Sequence, residues 1–212
     1  GGVGGTLKVL PIVGASQPGP DLCWVILAAD GSDGAVRSQA LDTGRGSLLE
    51  TVKEIELKSG RALAMKCDVT DPVQVESLVA QTVEIYGHID AVINNAGFYP
   101  RAKIAEMDPE IWQATMSINL TGAFLVCRYV LPEMIQRGKG GSILNISSGS
   151  ATRYDRQHIA YSASKAGLDR LTINLAEEVR EHEIAVKAAR STALSPQFCI
   201  PSRCNFWLTT WH

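Results

Sequence analysis

The sequence predicts an α/β fold: a doubly wound parallel sheet with helices on both faces, arranged in three α/β/α layers. Short apolar runs alternate with helix-periodic segments over most of the 212 residues, a pattern typical of parallel strands joined by crossover helices. Hydrophobic residues make up 45% of the chain and charged residues 20%, as in ordinary globular domains. We therefore expect one domain, residues 1–212, with a substantial core.

The charge balance and the cysteine pattern argue against several classes of function. The formal net charge of −2 offers no basic field for nucleic acid or an anionic membrane. No apolar run approaches the roughly 20 residues of a membrane span, and the start GGVGGTLK lacks the regions of a signal peptide, so we expect a cytoplasmic protein. The five cysteines include no C-x-x-C pair, which argues against a disulfide framework or a metal site. We expect Cys67 and Cys127 in the core.

The first 47 residues contain one clear strand and an irregular remainder. Residues 7–13 (LKVLPIV) predict a buried strand, followed by a glycine-containing turn with Gly14, Ser16 and Gly19. Pro18 and Pro20 interrupt that turn, and neither residue has an N–H to donate to a phosphate. For residues 21–47 the best prediction is a short helix, then a poor second strand at 35–41, because several glycines break any longer element.

Regular patterns begin at residue 47. Residues 48–58 have helical spacing, 61–67 alternate like a strand, and Asp71-Pro72 predicts the start of a helix over 72–86, with Gln74 placed to complete a capping box. Its apolar stripe is expected in the core and comprises Val75, Leu78, Val79 and Val83.

The second half of the chain predicts two strand–helix units and a further strand. A short strand at 91–94 ends in Asn94-Asn95-Ala96-Gly97, a turn that leaves room for a ligand. One long helix over 110–136, irregular near Asn119, precedes a strand at 142–146. A helix over 160–182 turns apolar residues inward and leads into a strand at 184–188. The apolar positions of the two helices are Trp112, Met116, Leu120, Phe124 and Leu131, then Leu168, Leu171, Leu175 and Val179.

Residues 148–165 contain a set of groups that chemistry can use. Tyr161 and Lys165 are four residues apart and therefore share one face of the predicted helix. A phenol has a pKa near 10, and a nearby fixed positive charge lowers it, so Tyr161 could exchange protons as a general acid or base. Ser148 follows an apolar strand. A Tyr-x-x-x-Lys pair alone is common by chance and usually marks a solvated helix face.

The ends of the predicted strands strengthen the functional interpretation. Ligands of open parallel sheets lie beyond the carboxyl ends of the strands. Gly14, Asp68, Asn94 and Ser148 all fall at such ends, so we expect them at one edge of the sheet.

Together these motifs resemble the short-chain dehydrogenase/reductase family. The resemblance rests on Gly14-Ala-Ser, Cys67-Asp-Val-Thr-Asp71, Asn94-Asn-Ala-Gly97, Asn119 and Ser148-x12-Tyr161-x3-Lys165, and it is dense from about residue 47 to 189. It implies a Rossmann fold that binds NAD or NADP and an oxidoreductase that transfers a hydride between this cofactor and an alcohol or carbonyl. It also implies a homo-oligomer, a dimer or tetramer, formed through the helices at 110–136 and 160–182.

The resemblance also implies roles for individual residues. Tyr161 would be the general acid/base, Lys165 would lower its pKa and hold the nicotinamide ribose, Ser148 would bind the substrate oxygen, and Asn119 would hold a water in a proton relay. The nucleotide site would include Gly14, Ser16, Gly19, Asp68, Val69, Asn95, Ala96 and Gly97, together with Tyr161 and Lys165.

Two segments depart from the family pattern, 17–46 and the truncated tail 191–212. The family's later turn glycines are replaced by Pro18 and Pro20, and the choice between NAD and NADP stays open among Asp30, Arg37, Ser38 and Asp42. Reading-frame shifts would account for the abrupt loss of similarity. The pocket-shaping residues fall largely in the tail, so the sequence indicates no particular substrate. The alternative function is a degenerate, non-catalytic Rossmann-like module for binding or oligomerisation.

Overall fold

The computed structural model describes residues 7–14, 22–29, 57, 61–63 and 65–191. The strands among them are β1 (Leu7–Gly14), β2 (Leu22–Ala29), β3 (Arg61–Ala62), β4 (Met65–Cys67), β5 (Ala91–Asn94), β6 (Gly141–Ser148) and β7 (Ile184–Ser191). The helices are α1 (Pro72–Tyr86), α2 (Pro109–Met116), α3 (Gly122–Arg137) and α4 (Ile159–Glu178). Of the predicted helix at 48–58, only Leu57 is described, and it is helical.

Four strands form the parallel part of the sheet, in the order β2-β5-β6-β7. Leu27 pairs with Asn94, and Asn94 pairs with Asn145. Ser148 and Ser191 pair at the carboxyl ends of β6 and β7. Strands and helices alternate along residues 65–191, and the predicted α/β architecture built on a parallel sheet is confirmed.

The first strand corrects the prediction of an all-parallel sheet. β1 forms an antiparallel pair with β2, with Gly14 opposite Leu22 and Leu7 opposite Ala29. Two apolar eight-residue segments that lie close together in sequence can pair as a hairpin, whereas parallel pairing needs a longer crossover.

The short helix predicted after residue 21 is also wrong where it overlaps Leu22–Ala29, which is a strand. A short apolar run cannot by periodicity alone be told from a buried helix. The second strand predicted at 35–41 lies outside the described residues.

Helix α1 has the predicted bounds. The Asp71 carboxylate accepts hydrogen bonds from the backbone N–H groups of Val73 and Gln74, and Pro72 is the first helical residue. The capping box differs from the prediction, because the Gln74 side chain accepts from the backbone N–H of Asp68, at 3.0 Å, and not from that of Asp71. The helix start is therefore tied directly to the end of β4.

The long helix after Asp108 is interrupted where the sequence predicts an irregularity. A five-residue π-helical turn, Ser117–Thr121, separates α2 from α3 and contains Asn119. The buried side of α3 differs from the predicted stripe: Phe124 is 45% exposed, while the buried residues are Gly122, Ala123, Val126, Cys127, Val130 and Met134.

The helical segment Pro109–Arg137 is long and apolar enough, by length and composition alone, to cross a membrane. The search for uninterrupted apolar runs in the sequence did not identify it. Val126, Val130 and Met134 nevertheless belong to the hydrophobic core. That core also contains Val75, Leu78 and Val79 of α1, Val92 and Ile143 of the sheet, and Cys67 and Cys127, which are free thiols. The core positions predicted for α1 and for both cysteines are confirmed. Leu168, Leu175 and Val179, predicted to face inward, are also buried.

Candidate active site

Three elements bring the predicted catalytic residues together at the carboxyl edge of the sheet. Ser148 is the last residue of β6, Tyr161 and Lys165 lie in the first two turns of α4, and Asn119 lies in the π-helical turn before α3. The backbone carbonyl of Ile146, near the end of β6, accepts a hydrogen bond from Lys165 Nζ at 2.6 Å. This bond fixes the start of α4 against the strand that carries Ser148.

Tyr161 is half-buried, and its hydroxyl interacts with the Ser148 side chain. Burial raises the pKa of the phenol, the hydrogen bond with Ser148 lowers it, and the Asp155 carboxylate raises it. Burial outweighs the hydrogen bond, so the pKa lies above its ordinary value. The phenol is therefore protonated at neutral pH. The Lys165 ammonium lies over the ring, 5.7 Å from its centroid, and its lowering of the phenol pKa stays a prediction.

Lys165 is 2% exposed, which is unusual for a lysine. Burial lowers the pKa of its ammonium from 10.5 to about 8, and the Asp169 carboxylate opposes that shift. At neutral pH the lysine therefore stays mainly charged. Because its pKa lies close to neutral pH, a small change in burial or in nearby charge changes the charged fraction.

Asn119 is 1% exposed and ties three segments together. Its Oδ1 accepts from the backbone N–H of Phe98 at 2.7 Å, and its Nδ2 donates to the Phe98 carbonyl at 3.0 Å and to Ser164 Oγ at 2.9 Å. Ser164 in turn donates to the carbonyl of Tyr161 at 2.7 Å. Asn119 thus joins the turn after β5 to the start of α4, while its role in holding a water stays a prediction.

The turn after β5 faces the same place. A side chain at Gly97 would have its Cβ 3.9 Å from Asn119 Oδ1 and 4.0 Å from Lys165 Nζ. Since Gly97 has none, its backbone is open to a ligand that reaches the lysine. The adjacent Asn95 is exposed and Ala96 is half-buried.

Asp68 and Val69 follow β4 at the same edge of the sheet. The Asp68 carboxylate is half-buried, and its Oδ1 accepts from the backbone N–H and the hydroxyl of Thr70, at 2.9 and 2.8 Å. Val69 is 1% exposed and packs against Gly122. The Val69 side chain therefore belongs to the core, the Asp68 carboxylate is partly accessible, and contact of the two residues with a nucleotide stays a prediction.

The structure does not bring Gly14 to this site. Because β1 is antiparallel to β2, Gly14 lies opposite Leu22 at the amino end of β2, across the sheet from Asn94 and Ser148. Ser16 and Gly19, the other two predicted turn residues, lie outside the described residues.

A group beside Tyr161 escaped the sequence prediction. The Tyr99 ring stacks on His158, with centroids 3.9 Å apart. The Asp155 carboxylate accepts from the hydroxyls of Tyr99 and Ser150, at 3.3 and 2.7 Å. Tyr99 comes two residues after the ligand-facing turn, and Asp155 lies in the loop that must return from Ser148 to Tyr161. The positions of Tyr99 and Asp155 in the sequence were the signal by which this group could have been predicted.

Comparisons with known proteins agree on one family. A family model described as short chain dehydrogenase matches residues 27–199. A short chain dehydrogenase/reductase, astE of Aspergillus oryzae, is 34% identical over 183 residues, which cover 85% of this chain and 69% of the relative.

Two solved structures are similar to the chain. One is described as a putative short-chain dehydrogenase/reductase from Burkholderia xenovorans, with 38% identity and a TM-score of 0.59 over 60% of this chain and 51% of that one. A gluconate 5-dehydrogenase from Burkholderia cenocepacia, in complex with NADP and tartrate, has 31% identity and a TM-score of 0.56 over 58% of this chain and 48% of that one. The chain thus spans about half the length of these two proteins.

Proposed function

The chain belongs to the short-chain dehydrogenase/reductase family, and on that premise we propose that it transfers a hydride between NAD(P)(H) and an alcohol or carbonyl compound. Tyr161 is the general acid/base of this reaction. Ser148 binds the substrate oxygen, Lys165 supplies positive charge beside the phenol, and Asn119 holds the turn and the helix in register.

One observation carries the proposal. A half-buried phenol, a hydroxyl and a buried ammonium, from three positions in β6 and α4, meet at the carboxyl edge of the parallel strands. That edge is where open α/β sheets bind ligands. A chance Tyr-x-x-x-Lys pair on a solvated face would leave its lysine exposed, whereas Lys165 is 2% exposed.

The described residues fit two parts of a dinucleotide. Gly97 and Lys165 would hold the nicotinamide ribose, because the open backbone of the glycine lies next to the lysine ammonium. Asp68 would contact the adenine end, where its carboxylate follows β4. When bound, the nicotinamide supplies or accepts the hydride.

The raised pKa of Tyr161 favours one direction at neutral pH. A protonated phenol donates its proton to a carbonyl oxygen, so the residues suit carbonyl reduction. In alcohol oxidation Tyr161 must first lose a proton, and we expect that rate to rise as the solution becomes alkaline. Ser148, which lowers the phenol pKa through its hydrogen bond, helps in both directions by orienting the hydroxyl.

The test is cofactor binding followed by turnover. Purified protein is titrated with NADH and with NADPH while nicotinamide fluorescence is recorded, and reduction of a panel of ketones and aldehydes is then followed by absorbance. Binding of either cofactor, with turnover that Tyr161→Phe abolishes, supports the proposal. Full activity of the Tyr161→Phe variant would exclude the assigned mechanism.

The second candidate is a non-catalytic Rossmann-like module that binds or oligomerises. The position of Gly14 at the opposite edge of the sheet favours it, since a family turn at that place could not contact a pyrophosphate bound near Lys165. The same titration separates the two candidates: no binding at millimolar cofactor favours the module.

We also propose a cytoplasmic homo-oligomer. Large apolar side chains are exposed on three helices: Trp112 on α2, Phe124 on α3 and Ile173 on α4 are 36%, 45% and 56% exposed. A second copy of the chain would cover such surfaces. The free buried thiols Cys67 and Cys127 suit a reducing compartment. Sedimentation of the wild-type chain and of Phe124→Lys tests the assembly, and an unchanged molar mass in the variant would exclude this helix as the interface.

A further inference from the structure

Lys165 is a buried ammonium that makes one hydrogen bond to the described part of the protein. Its nitrogen has three donors, and among the described residues it donates to one acceptor, the carbonyl of Ile146. A buried charge without an opposite charge is costly, and such a group ordinarily loses its proton. Something in the protein must therefore favour the cation if Lys165 is to act on Tyr161 at neutral pH.

Asp169 is the carboxylate that meets this need. It lies four residues after Lys165 in α4, so the two side chains are neighbours on one helix face. Asp169 is 8% exposed, and its Oδ1 is buried with no hydrogen-bond partner among the described residues. The carboxylate acts on the lysine in the direction that favours the charged ammonium.

Arg190 shares the same carboxylate from the other side. Its Nε and one terminal guanidinium nitrogen bind Asp169 Oδ2 at 3.1 and 2.9 Å, and this guanidinium extends from β7. The arginine side chain is 48% exposed and the Asp169 side chain 11%, so this ion pair reaches from the solvent to the buried carboxylate. Both contacts of Arg190 are made to Oδ2 of Asp169, so Arg190 does not bind Oδ1.

We propose that Asp169 is the positioning residue that keeps the Lys165 ammonium charged beside the Tyr161 ring. Arg190 binds the same carboxylate and thereby weakens the stabilisation of the ammonium by Asp169. The inference rests on the proposed function, since it explains how the lysine stays cationic for that reaction. It adds two residues, Asp169 and Arg190, that act through Lys165.

Among the residues that the structure describes, the other groups around Lys165 carry no negative charge that faces it. The π-helical turn contributes the neutral amide of Asn119, which lies with Lys165 beside Gly97, and β6 contributes the Ile146 carbonyl. The Asp155 carboxylate acts on Tyr161 from the loop before α4. Within the described part of the chain, the titratable or charged groups that face Lys165 and its ring partner are Tyr161 and Asp169 of α4, Asp155 of the loop before α4 and Tyr99 after β5, while Arg190 of β7 acts through Asp169.

The two variants Asp169→Asn and Arg190→Gln separate a charge effect from a structural one. Asp169→Asn keeps the shape and removes the anion, so we expect the pKa of Lys165 to fall by about one unit. Arg190→Gln removes the competing cation, so we expect that pKa to rise by roughly half a unit. Loss of packing alone would not move the pKa in opposite directions.

The pKa is measured on the full chain by nuclear magnetic resonance with isotope-labelled lysine, following the carbon next to Nζ as pH changes. The Lys165 signal is assigned by its loss in Lys165→Met. Glu177→Gln and Arg180→Gln are matched controls, because this exposed acid–arginine pair lies in and just after α4, and they should leave the pKa unchanged.

Unchanged values in both test variants, or shifts in the same direction, would overturn the inference. If Asp169→Asn does not fold, Asp169→Glu and Arg190→Gln still test it: the glutamate should keep the pKa near 8, and the arginine variant should raise it. The titration needs neither cofactor nor turnover, so a chain that fails to bind NADH or NADPH refutes the proposed function while this experiment still decides the role of Asp169. In an active enzyme, Asp169→Asn should also displace the pH dependence of kcat, and Asp169→Glu should restore it.

Discussion

The ring of Tyr99 stands edge-on to the ring of Tyr161, with centroids 4.4 Å apart and planes inclined by 85°. Edge-to-face contacts of this kind are favourable and directional. Tyr99 is itself fixed on both sides, by stacking on His158 and by the hydrogen bond of its hydroxyl to Asp155. The orientation of the Tyr161 phenol therefore depends on residues other than the four predicted catalytic residues, which are Asn119, Ser148, Tyr161 and Lys165.

Two variants of Tyr99 test this dependence. Tyr99→Phe keeps the ring contact and loses only the hydrogen bond to Asp155, so we expect kcat to fall less than about threefold, which is below 1 kcal/mol. Tyr99→Ala removes the ring and should lower kcat by about tenfold or more. Steady-state kinetics with one carbonyl substrate measures both. Equal losses in the two variants would show that the hydroxyl, and not the ring, orients Tyr161.

The second prediction concerns proton transfer by Tyr161. Tyr161→Phe keeps the ring and its contact with Tyr99 but removes the proton donor, so we expect kcat for carbonyl reduction to fall by about 10²- to 10⁴-fold. Cofactor affinity should change little. Fluorescence titration with NADPH, beside the rate measurement, shows whether the loss lies in chemistry or in binding.

The third prediction follows from the buried charge of Lys165. The pKa is lowered from 10.5 to about 8 in the folded protein, so between these values the unfolded chain binds more protons than the folded one. Stability must therefore rise with pH across this window, by about 3 kcal/mol from this residue alone. Below pH 8 the folded state carries the full cost of the buried charge. Urea unfolding of the wild type and of Lys165→Met, at pH 7 and pH 10, measures the difference.

Lys165→Met provides the reference because it lacks the titrating group, which removes contributions of other residues from the comparison. We expect the variant to be at least as stable as the wild type at pH 7 and to lose that advantage by pH 10. A constant difference between the two proteins over the whole range would contradict the depressed pKa.

The fourth prediction concerns Asn119 as a connector. Asn119→Ala leaves the backbone groups of Phe98 and the hydroxyl of Ser164 without their partner. We expect a loss of roughly 2–4 kcal/mol in the free energy of unfolding. Gln113→Ala removes an exposed amide from α2 whose bond to Ser117 is 3.4 Å long and should cost under about 0.5 kcal/mol. Similar losses in both would argue against a special role for Asn119.

The fifth prediction concerns the contact between α3 and the end of β4. A Cβ at Gly122 would lie 2.8 Å from Val69 Cγ2 and 3.0 Å from Val69 Cβ, so Gly122→Ala should destabilise the protein by about 1–2 kcal/mol. When Val69 is first replaced by alanine, the contact with Cγ2 is gone while the Cβ of residue 69 stays, so the same change at Gly122 should cost clearly less. A double-mutant cycle with urea unfolding measures the coupling, and independent effects would contradict the close contact.

Local signals in the sequence were enough to predict several elements. Asp71-Pro72 marks the start of α1, and Gly87, in the left-handed conformation at φ 83°, ends it. Ala91–Asn94 and the irregular turn at Asn119 also follow from local pattern. The meeting of Ser148, Tyr161 and Lys165 could be predicted because a strand end and one helix face leave little freedom.

Features that depend on partners distant in sequence could not be predicted. The direction of β1 is decided by its pairing with β2. The apolar pattern of a strand does not indicate whether it pairs parallel or antiparallel. The raised pKa of Tyr161 reflects a balance between burial and hydrogen bonding that depends on distances. The pair of Asp169 and Arg190 joins α4 to β7 across 21 positions of sequence. Such contacts leave no periodic signal.

The π-helical turn makes the length of the segment between Asp108 and Gly138 matter as much as its composition. An α-helix rotates by about 100° per residue, and a π-helical turn accommodates one additional residue. Here that turn lets Asn119 face Phe98 and Ser164 while Gly122 still faces Val69. Removing a single residue, even an exposed one, would rotate one half of the helix relative to the other and separate these two contacts. Homologous chains that retain this site should therefore vary here by substitution and seldom by insertion or deletion.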